Sequence, residues 1–477
     1  MIRHALIAAA VLAVSACAPE AAFTGTLLHA NAEVAGLQGL ERLDATGPFQ
    51  GGSTERFKLH ADTAVAQVSF SASEGALTTS GREVEWKLPA GGTAELTATL
   101  TRRDGSTESA TWSFRLARTV EAGAPMNAEQ ALLATPMPVL DGGSLEISGG
   151  SCEVRYEGTT TNVGIAFTTE THPSLMYGRW NGTAWALELV DAMGFNTGGV
   201  VRPLVSMQVE ANGTPHIVYV RDNTVMYATK SGGVWTRERV DASNTYTTYL
   251  PGDETTSPSI ALNGTTPMIL YTTGFSAASS RPVVATRTGP NAWTTAVVTV
   301  PGLTTNDRQY PYGELNIDGA GRALFPLLGF DATTFNSSYR LVAWTSAATT
   351  SITLTPSLTG RTDTVLASPT RLLMRNRLGL YDVTLNATFT ASTLTFSSVE
   401  SSTGTDVGDL AWSASLGRPV ELHSHSGSLE LVTPNANGFW TYQQLGTTTA
   451  VSAGLAVNPS TGDASICYQA GGRIMFQ

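Results

Sequence analysis

Three observations predict an all-β chain, an antiparallel β-sandwich followed by a seven-bladed β-propeller of four-stranded antiparallel blades. Apolar and polar residues alternate over short runs, the joints between runs are rich in Gly, Asn and Asp, and from Gly143 onward the pattern repeats about every 50 residues. Composition agrees. Only 14% of the 477 residues are charged and 42% are hydrophobic, so Thr, Ser, Asn and Gly must supply the polar surface, as in a strand-rich protein with many turns. The length suits two or more domains and a large core. A net charge of -11, with Lys58, Lys87 and Lys230 the sole lysines, argues against nucleic acid as a partner.

The chain opens MIRHALIAAAVLAVSAC. Arg3 provides a positive start and Ala5 to Val14 an apolar core too short to span a bilayer, the pattern of a secretory signal over residues 1–16. The run Val14-Ser15-Ala16-Cys17 resembles the bacterial lipobox. That resemblance implies cleavage before Cys17, lipidation of its thiol, and, with Ala18 rather than Asp next, residence at the outer membrane. Residues 17–50 then read as a tether.

Between residues 51 and 118 the runs Glu55–His60, Ala64–Phe70, Glu83–Leu88, Ala94–Thr101 and Ser109–Leu116 alternate as half-buried strands do, with joints at Ser80-Gly81, Gly91-Gly92 and Asp104-Gly105. The stretch EVEWKLPAGGTAELTATLTRRDGSTESATWSF resembles the second half of a bacterial Ig-like or PKD-type sandwich, which implies that Trp86 and Trp112 pack between two sheets. Residues 119–142, with three prolines between Arg118 and Pro138, read as a linker.

From residue 143 to 477 seven units follow, over 152–191, 203–241, 257–300, 313–354, 366–398, 408–446 and 451–477. Each carries a first strand such as VSMQVEANG, a second such as TPHIVYV, and a third and fourth such as TVMYATKSGGVWTRERVD. Sheets this small bury their faces against one another, and closing them into a ring removes the exposed ends. The last unit stops at its third strand, and Ser144–Ser148 is placed to supply the fourth. Cys152 in the first unit and Cys467 in the last become neighbours only if the ring closes, which predicts a disulfide, since a linear array would hold their Cα atoms beyond about 7 Å.

The elements Pro215 to Tyr219, Pro267 to Tyr271, Gly182 to Trp185 and Gly232 to Trp235 resemble those of the BNR and sialidase-like propeller superfamily. The family's Asp-box, Ser-x-Asp-x-Gly-x-x-Trp, is broken here: in Ala228-Thr-Lys-Ser-Gly-Gly-Val-Trp, Ala228 stands at the Ser position and Lys230 at the Asp position. The resemblance implies the fold, and for activity an arginine triad, a nucleophile and an acid. Arg155, Arg202, Arg308, Arg371, Arg375 and Arg418 are available, but no spacing selects three.

Two long connections between units are the expected ligand site at the channel mouth. One carries Tyr246, Tyr249, Asp253 and Glu254; the other carries Asp307, Arg308, Tyr310 and Tyr312; Arg202 lies in a third connection. Aromatic faces beside carboxylates and arginine suit a glycan or a protein of the envelope or extracellular space. No cofactor or metal is expected. His423 and His425 share a strand face without a marked third ligand, and Asp318–Gly321 and Asn458–Asp463 read as hairpin turns rather than calcium loops. The expected protein is a monomeric, lipid-anchored envelope binding protein, with a sialidase-like hydrolase or lyase, or an assembly scaffold, as the alternatives.

Overall fold

The computed structural model describes most of the chain between Thr26 and Phe476; residues 1–25, 120–151, 193–204, 242–257, 274–279, 355–361 and 398–407, with shorter stretches, lie outside the described residues. Cys17 and Ser144–Ser148 are among those outside.

From Cys152 onward the described chain folds into successive antiparallel sheets, here numbered one to seven. Their innermost strands are Cys152–Tyr156, Val205–Val209, Ser259–Asn263, Asp307–Pro311 continued by Asn316–Ile317, Asp363–Ser368, Gly408–Ser413 and Ala453–Val457. Each innermost strand packs against that of the next sheet, and Ala453–Val457 packs against Cys152–Tyr156, so the strands complete a circle.

The hydrophobic core is divided the same way. Ala166, Leu175 and Tyr177 of sheet one share a cluster with Met207, Ile217 and Tyr219 of sheet two. Further clusters join sheets two and three, three and four, four and five, five and six, and six and seven. One more joins seven to one, where Cys467 and Phe476 meet Val154, Ile165 and Phe167. Strands that bury both faces read as nearly continuous apolar runs: Pro215–Arg221, PHIVYVR, is buried at every position but the last.

Polar bonds repeat with the cores. Tyr219 donates to Asp191 at 2.7 Å, and Tyr271 to Asp241 at 2.6 Å, each from one sheet to the sheet before. Trp235 donates to Glu188 and Trp293 to Glu238, while Lys230 and Arg287 pair with those same carboxylates. Tyr177 meets Trp235, and Tyr227 meets Trp293, edge to face. Trp235 and Trp293 are therefore clasps between sheets.

The ring closes through two devices. Cys152 and Cys467 form a disulfide with Cα atoms 6.3 Å apart, across 315 residues of sequence. The strand found against Arg473–Phe476 is Arg118–Thr119, with Thr119 opposite Met475 and Arg118 opposite Phe476. The fourth strand of sheet seven thus comes from directly after the N-terminal domain, upstream of the segment expected to supply it.

The N-terminal domain consists of two antiparallel sheets around one core. One sheet has the order Thr26–Leu28, Leu37–Arg42, Thr54–Ala61, Glu83–Lys87, Ala76–Ser80; the other pairs Val65–Ala72, Thr93–Arg102 and Thr107–Arg115. Trp86 and Trp112 are fully buried between them, donating to the carbonyls of Glu74 and Leu28. The described part of the expected tether contains a strand. Leu37–Arg42 is a sheet strand, and its charged end is buried because Arg42 binds Glu55 at 2.7 Å and Glu41 meets His60 at 2.6 Å. The domain joins the ring directly, since Thr107–Arg115 pairs in parallel with Trp440–Thr447, the outermost strand of sheet six.

Removing the disulfide releases a very long loop, and chain entropy assigns such a bridge about 3–5 kcal/mol. Cys152→Ser with Cys467→Ser is expected to lower unfolding stability by about that amount in urea titration, and reductant is expected to bring the wild-type protein to the same midpoint.

Candidate functional site

The innermost strands enclose an axial cavity of about 570 Å³, lined by residues of all seven sheets. One position in each sheet, four residues before the residue that closes the first hairpin, forms a layer here, and five of its seven members line the cavity. The closing residues are Glu157, Glu210, Asn263, Asp318, Ser368, Ser413 and Asn458. The positions four earlier are Glu153, Ser206, Ser259, Glu314, Thr364, Asp409 and Gly454.

This layer is stitched round the ring. Ser206 Oγ accepts the N–H of Ile260, Ser259 Oγ that of Leu315, and Asp409 Oδ2 that of Leu455 at 2.6 Å, each from the following sheet. Thr364 donates its hydroxyl to the carbonyl of Glu314 at 3.0 Å. Gly454 has no side chain because none fits: a Cβ there would lie 2.9 Å from the Cys152 carbonyl and 3.1 Å from the Glu153 Cα. Sheets seven and one approach that closely where the ring closes.

A serine does the stitching in sheets two and three, so the carboxylates in the same layer exceed what the fold requires. They concentrate on one side. Glu153 is buried and pairs with Arg155 at 3.0 Å. Glu314 is partly buried, and its carboxyl meets Arg155 at 3.9 Å, too long for a hydrogen bond. Asp409 is buried and also takes the N–H of Leu410 at 2.7 Å. Beside them Asp363 and Glu421 pair with Arg375 at 3.8 and 3.3 Å. Burial, then the charge of Asp409, raises the Glu314 pKa well above the ordinary carboxylate value; Glu153 and Asp363 add to the rise and Arg155 opposes it. The outcome is a carboxyl with a raised pKa beside the Asp409 side chain, which accepts two backbone N–H groups, both lining one open cavity.

The expected site residues fare differently. Tyr246, Tyr249, Asp253, Glu254 and Arg202 lie outside the described residues. Asp307, Arg308, Tyr310 and Tyr312 are described, and none lines the cavity. Their segment is a strand over Asp307–Pro311 rather than a loop. Tyr310 and Tyr312 are buried; Tyr312 packs edge-on against Tyr339, and Arg308 stacks over Phe330 at 5.5 Å. Aromatics placed this way support a sheet and offer no platform to a ligand. Glu314, two residues beyond Tyr312, does reach the cavity.

Of the six arginines considered, Arg155 alone among the described residues lines the cavity, so a carboxylate-clasping triad is not assembled there. Arg371 pairs with Asp382 at 2.6 Å. His216 bridges Glu210 and the Tyr227 hydroxyl, and burial, against the pull of Glu210, lowers its pKa. Asp318 accepts the N–H groups of Ala320 and Arg322, and Asn458 those of Ser460 and Thr461, which makes both segments turns. No cluster of three or more metal-ligating side chains occurs among the described residues.

No protein-family model and no curated protein matches the chain. Among solved structures it is similar to an α-L-arabinanase of Penicillium chrysogenum, at 13% identity and a TM-score of 0.39, covering 76% of this chain and 97% of that one. It is also similar to the β-propeller domain of Cps50 (Swd1) of Myceliophteria thermophila, at 11% identity and a TM-score of 0.44, covering 69% and 97%. A third likeness is to a Trypanosoma rangeli sialidase, at 10% identity and a TM-score of 0.35, covering 79% of this chain and 55% of that one.

The raised Glu314 pKa has a stability consequence. The unfolded chain releases this proton near pH ~4.3, whereas the folded protein holds it to higher pH. Stability is therefore lost as pH rises from about 4.3 through the folded pKa, and the loss is complete above it. Glu314→Gln, which cannot ionise, is expected to flatten that decline; melting temperatures of both proteins between about pH 4 and 8 check it.

Proposed function

We propose that this chain is a seven-bladed β-propeller carried on an Ig-like spacer, lipid-anchored at Cys17 on the bacterial outer membrane, and that its axial cavity hydrolyses a glycosidic bond. The observation that carries the catalytic part is the pair Glu314 and Asp409, two carboxyl groups in one cavity with opposed environments. Glu314 holds the proton that a leaving sugar oxygen needs. Asp409 accepts the proton of a water whose oxygen attacks the anomeric carbon, or attacks that carbon itself. Arg155, paired with Glu153, orients sugar hydroxyls. The anchor and location rest on the Arg3-led apolar start and the Val14–Cys17 motif.

A second reading, binding of a glycan or protein partner without cleavage, is favoured by one observation. Asp409 bonds the next sheet just as Ser259 does, so part of its role is structural.

One experiment separates them. A panel of fluorogenic glycosides is expected to yield a substrate for the wild-type protein, and Glu314→Gln to lower turnover by about 10²–10⁴-fold, with Asp409→Asn lowering it comparably. Turnover by Glu314→Gln equal to wild type removes the catalytic reading. Binding of a glycan with no cleavage across the panel leaves the second.

A further inference from the structure

Each innermost strand runs from an inter-sheet connection to its first hairpin. Among the described residues, nothing ahead of the layer position lines the axial cavity, while Gly158, Ala211 and Pro459 of the first hairpins do. The layer is therefore the inner end of the cavity, and its mouth lies on the hairpin face of the ring, away from the connections expected to hold a ligand.

Two residues beyond the layer position, the wall is sided. Arg155, Gln208 and Asn316 stand there in sheets one, two and four, and Leu366, Ala411 and Ala456 in sheets five, six and seven; all six line the cavity. One arc forms hydrogen bonds and the other is apolar. The polar arc has open valences. Gln208 is half-buried, and its carboxamide makes no hydrogen bond to a described residue. Asn316 donates its Nδ2 to the Thr364 hydroxyl at 2.8 Å, which leaves Oδ1 to accept. The ring does not need a carboxamide at this position, because sheets three, six and seven carry alanine there.

Charge also selects. Arg155 is the single cationic side chain of the described lining, and it is already shared between Glu153 at 3.0 Å and Glu314 at 3.9 Å. A sugar acid would bring its carboxylate beside Asp409 with no spare guanidinium to meet it, and like charges in a confined channel repel strongly. A neutral sugar avoids that repulsion. Its ring carbons suit alkyl side chains, and its hydroxyls donate and accept as a carboxamide does. The volume of about 570 Å³ lies within the usual range of ligand pockets, about 300–1,000 Å³.

We infer that the axial cavity takes an uncharged saccharide through the hairpin mouth, seats its ring on Leu366, Ala411 and Ala456, reads its hydroxyls with Gln208 and Asn316, and rejects sugar acids. This rests on the reading that the cavity holds a glycan, and it names which glycans enter.

The test is calorimetric titration of the full chain with glucose, galactose, xylose and arabinose, free sugars with no glycosidic bond to cut, and with glucuronate, galacturonate and N-acetylneuraminate. Saturable binding of at least one neutral sugar is expected, with the acids bound about tenfold or more weakly and the gap narrowing as salt is added. Gln208→Leu, which nearly keeps the side-chain volume, is expected to weaken neutral-sugar binding about tenfold. Ala411→Phe, which fills the apolar arc and leaves both carboxamides in place, is expected to abolish it. Failure of every neutral sugar to bind overturns the inference, as does tighter binding of an acid, or binding by folded Gln208→Leu and Ala411→Phe equal to wild type. Turnover separates this inference from hydrolysis. Neutral sugars bound while no fluorogenic glycoside is cut supports the inference and removes the catalytic reading. A glucuronide or sialoside cut in preference to every neutral glycoside keeps catalysis and overturns the inference.

Discussion

Among the described residues, no sheet in the ring has a core of its own. Every hydrophobic cluster from Cys152 onward is built from the facing surfaces of two neighbouring sheets, and the last of them joins sheet seven to sheet one. An open row of the same sheets would leave the faces of the first and last in water. Burying a single large apolar side chain is worth about 1.5–3 kcal/mol, and the closing cluster holds Val154, Ile165, Phe167, Met176 and Phe476 among others. Closure is thus the condition on which the rest of the molecule stands. The disulfide and the Arg118–Thr119 strand hold a seam that apolar burial already favours.

The seam also explains the role of the N-terminal domain. Its last strand is hydrogen-bonded to sheet six, and the residues immediately after it are hydrogen-bonded to sheet seven. The chain cannot place Arg118–Thr119 without also placing the domain. Arg115 and Gln443 reinforce the arrangement, donating to Ala464 and to Thr93 across the boundary. A spacer attached at one point could swing; this one is attached along a strand and then threaded into the ring.

The parts of the structure legible in sequence are those with a short, regular signal. The repeat of second strands, PHIVYV and PMILYT, and the paired cysteines led to the ring and its closure, because alternation and spacing are properties of neighbouring residues. Other features were hidden for physical reasons. Leu37–Arg42 reads as loop because Glu41 and Arg42 look solvated, and only their distant partners His60 and Glu55 make burial affordable. Tyr310 and Tyr312 read as a binding surface because their connection looked like a loop, yet Tyr-Pro-Tyr also fits a strand whose aromatics pack inward. The axial layer was missed because its members differ in every sheet: Glu, Ser, Ser, Glu, Thr, Asp and Gly. The signal that finds it is the distance to the hairpin, four residues back from a turn residue each time. Composition at that position is uninformative until the turns are aligned.

The location of the carboxylates within that layer follows from closure as well. Asp409 stands in sheet six and Glu153 in sheet one, and between them sheet seven offers only Gly454. The missing side chain lets the sheet seven backbone come to the Cys152 carbonyl and the Glu153 Cα, at distances where any Cβ would collide. Asp409 of sheet six shares the cavity with Glu314 and Arg155, and Glu153 of sheet one pairs with Arg155. In water such charges would be screened and inexpensive; in a confined channel they raise the pKa of the least compensated member, which is Glu314. A ring needs only a hydroxyl at this position to bond its neighbour, as Ser206 and Ser259 show. The charge at Asp409 is therefore more than its bond to the next sheet requires, and it stands close in the ring to the seam that the disulfide fixes.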